Sequence, residues 1–156
     1  MKKLKEPQEP VDNFMSQIKA LGDSLGPILF QLPPRWRKNR ERLQTFLEAL
    51  PSGYRYTFEF RDPDWFGDDI YELLEKHKAA FCVYDFDRRQ SPKKVTADFV
   101  YIRLHGPDGA YKGKYDDQEL SGWAGAISHW IQQGREGFCY FDNDQEGFAI
   151  KNALRL

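Results

Sequence analysis

The sequence predicts a parallel α/β fold, and three observations carry that expectation. Short apolar runs alternate with amphipathic stretches along the chain. Links from helix to strand are short (residues 22–26, 51–53, 78–79 and 134–137), while links leaving strands are long (33–38, 61–67, 86–97 and 105–115). Each apolar run ends in polar residues: Gln31, Glu59 with Arg61, Asp85, Arg103 with His105, and Asp142 with Asn143. Buried parallel strands read as continuous apolar runs. Long loops at their carboxyl ends are where α/β proteins place ligand sites.

The elements follow in order. Residues 11–21 set Phe14, Ile18 and Leu21 on one helical stripe. Gly22 and Gly26 bracket a break, residues 27–32 form a buried strand, and Pro33-Pro34 ends it. A helix over 39–50 aligns Leu43, Phe46, Leu47 and Leu50, and Pro51-Ser52-Gly53 turns the chain into an aromatic strand over 54–60. Asp68 or Asp69 caps a helix running to His77 with Ile70, Leu73 and Leu74 apolar. Residues 80–84 form a third strand, 86–97 a polar loop around Ser91-Pro92, and 99–104 a fourth strand. The longest helix opens at Asp116 or Asp117, carries Leu120, Trp123, Ile127, Trp130 and Ile131 on one side, and stops at Gly134. A fifth strand spans 138–141, and a final helix begins near Glu146.

Composition narrows the function classes. The chain has 156 residues, 23 Lys plus Arg against 24 Asp plus Glu, and a net charge of −1, which excludes a strongly basic nucleic-acid coat and an acidic tail protein. Its 40% hydrophobic and 15% aromatic content argues against disorder. No apolar run reaches the ~18 residues of a membrane helix, and the opening Met-Lys-Lys-Leu-Lys-Glu-Pro has no apolar stretch behind it, so neither membrane insertion nor a secretory signal is expected. Cys82 and Cys139 sit inside apolar runs without metal or redox spacing, as expected of buried thiols in a reducing cytoplasm.

The segments LGPILFQLPP (25–34), YTFEFRDPDWF (56–66), FVYIRLHG (99–106) and FCYFDNDQEGFAIKNALRL (138–156) resemble the YecE-like proteins, domain-of-unknown-function family 72. The resemblance extends over nearly the whole chain and implies a TIM-type (β/α) barrel, with no established activity to carry over. An eight-stranded barrel needs roughly 250 residues. The expectation is therefore one incomplete barrel domain over residues 1–156, whose five parallel strands resemble the fourth to eighth, the first three units being absent. Five strands leave two open edges, with apolar surface at Leu29, Phe30, Phe138 and Phe141, so self-association or pairing with a missing amino-terminal segment is expected.

Within such a barrel, Glu59 and Arg61 share a strand face and point to the axis if Phe58 and Phe60 face helices. Arg103 and His105 repeat that spacing, and histidine shuttles protons near neutral pH. The expected catalytic residues are Glu59, His105 and Asp85, with Arg61, Arg103, Gln31, Asn143 and Trp65 holding a small anionic or polyhydroxylated substrate. Asp142, Asn143 and Asp144 suit sugar hydroxyls, a metal or a helix cap equally. No diagnostic metal spacing, glycine-rich phosphate loop, His-Glu-x-x-His or Gly-x-Ser-x-Gly occurs, so no metal or cofactor is assigned. The alternatives are a nucleic-acid-associated hydrolase or binder using Arg35-Trp36-Arg37-Lys38-Asn39-Arg40, and a non-catalytic truncated remnant. Charges over the strand-end loops cancel, which disfavours the nucleic-acid reading.

Overall fold

The computed structural model describes residues 6–156, and the chain divides into two compact units after Ala79. Each unit pairs its long strands in parallel and sets helices against them, as the alternation of apolar and amphipathic segments requires.

In the first unit, α1 (Gln8–Ile18) runs into a 3₁₀ turn, Lys19–Ser24. The helix starts earlier than its apolar stripe suggests. Pro10 lies in the first turn, where no backbone N–H has an intrahelical partner to lose. The buried residues are Val11 and Met15, so the stripe is rotated from the expected one, and Leu21 is exposed. β1 (Ile28–Leu32) pairs with β2 (Tyr56–Phe60) in the register Ile28↔Tyr56 to Leu32↔Phe60. One face of this ribbon carries Ile28, Phe30, Leu32, Tyr56, Phe58 and Phe60, all buried. Phe30 sits 4.9 Å edge-on to Phe46 of α2 (Arg40–Ala49) and 5.4 Å from Phe58. Phe30 is thus core, not the exposed apolar surface expected of it. Asn39 caps α2 by accepting from Arg42 N at 2.8 Å. α3 (Asp68–Lys76) buries Ile70, Tyr71, Leu73 and Leu74. Gly67, not an aspartate, is its N-cap; Asp68 and Asp69 occupy the first turn, where the helix dipole favours negative charge.

In the second unit, β3 (Ala80–Phe86), β5 (Phe99–Leu104) and β6 (Glu136–Phe141) lie parallel in that order. The link from β3 to β5 contains no helix. It doubles back through a turn at Asp87 and Arg88, both at positive φ (51° and 61°), into β4 (Arg89–Gln90), antiparallel to β3. Side chains of the same link replace a helix as the partner of β3: Ser91 Oγ accepts from Tyr84 N and Thr96 Oγ1 from Phe81 N, both at 2.8 Å. α4 (Asp117–Gln132) opens with a capping box in which Asp116 and Glu119 satisfy each other's backbone N–H, and it buries Leu120, Trp123 and Trp130. α5 (Phe148–Ala153) buries Ala149 and Asn152.

The register fixes two faces in this unit. Cys82, Tyr84, Tyr101, Arg103, Phe138 and Tyr140 share one, and Val83, Asp85, Ile102, Leu104, Cys139 and Phe141 share the other. Cys82 is buried and Cys139 half-buried, and partial burial pushes the Cys139 thiol up to about 12. Among the described residues β6 pairs with β5 alone. Phe138 and Phe141 are half-buried, and the exposed ring on β6 is Tyr140, 42% accessible and stacked on Tyr101 at 4.9 Å.

Candidate functional site

The site residues are set by where strands end. In the first unit Gln31, Glu59 and Arg61 extend the ribbon face opposite Phe58 and Phe60. Glu59 is fully buried and pairs with Arg61 Nε, so a carboxylate and a guanidinium are desolvated together. Gln31 is exposed on β1 beside Glu59 in register.

Trp65 does not join them. Its ring is fully buried, stacked on Phe60 at 4.9 Å, and its indole N–H donates to Trp36 O at 2.7 Å. The aromatic expected to touch substrate is a core residue that anchors the 33–38 link. Two cations of the basic cluster are tied down within the unit. Lys38 Nζ bonds Asp69 at 3.1 Å, and Arg40 donates to Asp69 O and Gln44 Oε1, both at 3.3 Å.

In the second unit the ends of β5 and β6 bring Arg103, His105 and Asp142 together. Asp142 Oδ2 accepts from Arg103 Nε at 3.0 Å, lies 2.9 Å from Nη2, and lies 3.3 Å from His105 Nδ1. The side chains are 17% (Arg103), 0% (His105) and 29% (Asp142) exposed, so the cation and carboxylate reach solvent while the imidazole does not. The sequence suggests a rim histidine; the structure encloses it. Phe86 and Tyr111 each meet its ring edge-on at 5.3 Å. Tyr111, half exposed, belongs to a loop that begins at Gly106, whose φ of 105° and contact with the Lys112 carbonyl exclude any Cβ. The Asp142 carboxylate lies beside the imidazole without a hydrogen bond to Nδ1, and the Arg103 guanidinium adds a fixed positive charge to the same group.

Asp85 is not part of this group. In register with Leu104, it lies on the opposite sheet face from Arg103. There it is buried, accepts from the Tyr115 hydroxyl and from Gln90 Nε2 at 3.4 Å, and burial raises its carboxyl above the ordinary range. Asn143 is turned into the interior, with its Nδ2 bonded and its Oδ1 without a hydrogen-bond partner. Fully buried, it donates from Nδ2 to Gly113 O at 2.8 Å and Asn152 Oδ1 at 3.0 Å. Asn152 returns bonds to both backbone groups of Tyr115. Tyr115 OH in turn accepts from Gly106 N at 2.9 Å. Sequence reasoning missed this network because it hinges on Tyr115 and Asn152, neither near a strand end. Among the described residues no three His, Cys, Asp or Glu side chains group as metal ligands, and no helix is long and apolar enough to cross a membrane.

Parallel strands whose carboxyl ends carry a histidine–carboxylate–arginine group define an α/β protein of the kind that gathers polar chemistry at strand ends. The chain belongs to the family described as "Protein of unknown function DUF72", whose sequence profile matches residues 1–156. It is 26% identical to the UPF0759 protein YunF of Bacillus subtilis over 161 residues, covering 86% of this chain and 57% of that protein. A DUF72 family protein of Thermotoga maritima has a crystal structure that superposes with a TM-score of 0.88 at 28% identity, covering 99% of this chain and 65% of that one. A DUF72 family protein of Enterococcus faecalis shares the fold at a TM-score of 0.84 and 18% identity, over 97% of this chain and 64% of its own. The chain therefore spans less than two thirds of the length of these relatives.

Proposed function

We propose that the chain carries the acid–base and anion-holding part of an enzyme site for a small anionic substrate. In the frame of a TIM-type barrel its five long strands correspond to the fourth through eighth. The observation that carries this reading is the convergence of Arg103 and His105 on one Asp142 oxygen. Arg103 holds the substrate anion. His105, with Nδ1 3.3 Å from the Asp142 carboxylate, takes or gives the proton once the Tyr111 ring swings aside. Glu59 with Arg61 is a second, buried charged pair at a strand end in the other unit.

The test is a binding and turnover screen of small carboxylates, phosphate esters and sugar acids, read by calorimetry and product detection. A bound member of the panel should lose about tenfold or more in affinity with Arg103→Met, consistent with ~1.5–3 kcal/mol for a charge-assisted hydrogen bond. His105→Gln should abolish turnover while leaving binding nearly intact. Ligand affinity unchanged in Arg103→Met, or turnover surviving His105→Gln, overturns the assignment.

A further inference from the structure

The helixless link between β3 and β5 leaves a cavity of about 310 Å³ on the far side of the sheet from Arg103. Its walls are Asp85 from β3, Gln90 from β4, Lys93 from the link, and Asp116, Glu119 and Trp123 at and after the start of α4. Three carboxyl groups thus face one ammonium. Asp85 and Trp123 are both more than nine-tenths buried, so the cavity has a desolvated carboxyl at one end and an indole wall. Lys93 Nζ lies over the Trp123 ring, 4.4 Å from its centroid. The ring face inside the cavity is therefore already used as a cation site, by the chain's own ammonium.

We propose that this cavity binds a small organic cation, with Lys93 the intramolecular occupant that the ligand displaces. The chemistry favours a diffuse ammonium over a metal ion. Asp116 and Glu119 each commit one oxygen to the capping box, leaving carboxylates spread along a wall, not gathered at ligating distance. An alkylammonium needs no close ligand shell: an aromatic face and surrounding negative charge suffice. Burial penalises the ionised Asp85 carboxyl, and a bound cation relieves that penalty. The proposal does not depend on the acid–base reading, because the two groups occupy opposite faces and share no residue.

The experiment is calorimetric titration of the full chain with choline and with dimethylbutanol, its neutral carbon isostere. Choline should bind and dimethylbutanol should not. Lys93→Met removes the competing ammonium and should tighten choline about threefold or more. Glu119→Gln keeps the capping box yet removes one charge, and should weaken choline without altering the circular dichroism spectrum. Absence of choline binding to both wild type and Lys93→Met overturns the proposal. So does equal binding of the alcohol, or a Lys93→Met variant that binds choline more weakly.

Discussion

Asn152→Ala tests whether buried amides, not apolar contacts alone, hold the carboxyl-terminal helix to the strand ends. Asn152 Oδ1 accepts from Tyr115 N at 3.2 Å and Asn143 Nδ2 at 3.0 Å, and its Nδ2 donates to Tyr115 O at 2.9 Å. Alanine deletes all three bonds. At ~1 kcal/mol per bond this costs about 3 kcal/mol, and a buried backbone group left without a partner costs ~1–3 kcal/mol more. The better helix propensity of alanine returns about 0.7 kcal/mol at most. The expected loss is therefore about 3–5 kcal/mol, read from urea unfolding with the midpoint and slope fitted together. Lys151→Ala, at an exposed neighbouring position, should change stability by less than about 0.5 kcal/mol. In the double variant with Asn143→Ala, the shared amide–amide bond is lost only once. The summed single costs should exceed the double by about 1 kcal/mol. A cost for Asn152→Ala below about 1 kcal/mol, or strict additivity with Asn143→Ala, refutes the network.

Three further outcomes follow from the same geometry. Burial raises the Asp85 carboxyl in the folded state, so folding takes up protons there, and its contribution to stability falls as pH rises from the unfolded value of 3.8 through the raised one. Asp85→Asn should gain on wild type across that interval; a wild-type-minus-variant difference that is flat from acid to neutral pH contradicts it. Glu59→Ala strands the buried Arg61 charge and should cost ~3–5 kcal/mol, while a Glu59→Met, Arg61→Met pair costs less than Glu59→Ala alone; a single variant as stable as wild type would show that the pair is not desolvated. The β6 edge and the exposed Tyr140 ring should drive association at micromolar protein in sedimentation, weakened by Tyr140→Lys, and a monomer at every concentration removes this expectation.

What the sequence made legible follows from period. Phe30, Phe58 and Phe60 lie on one ribbon face because residues two apart in a strand share a side, and Leu43, Phe46 and Leu47 are the buried stripe of α2, Phe46 meeting Phe30 and Phe58, because a helix repeats every 3.6 residues. The turn into β4 was opaque for a local reason. Its left-handed pair is Asp87-Arg88, without the glycine that signals such a hairpin. Sequence alone does not separate Trp65 as a ligand-facing aromatic from Trp65 as core, and in the structure Phe60 and the Trp36 carbonyl satisfy its ring and its N–H inside the core.

Asp85 shows the deeper limit. Alternation within β3 separates Tyr84 from Asp85, and alternation within β5 separates Arg103 from Leu104, but neither pattern says which side of one strand matches which side of the other. That is decided by register, and Tyr84↔Arg103 with Asp85↔Leu104 sends the aspartate away from the histidine. A shift of one residue would have made Asp85 a partner of Arg103. The observed register instead puts a carboxyl on the face where helices normally cover a parallel sheet. The link after β3 supplies a two-residue strand and no helix, so that carboxyl lines a cavity instead of meeting apolar side chains. Tyr115 bonds both Asp85 and the backbone N–H of Gly106. It holds the start of the Tyr111 loop that shields His105 and bonds the carboxyl behind it.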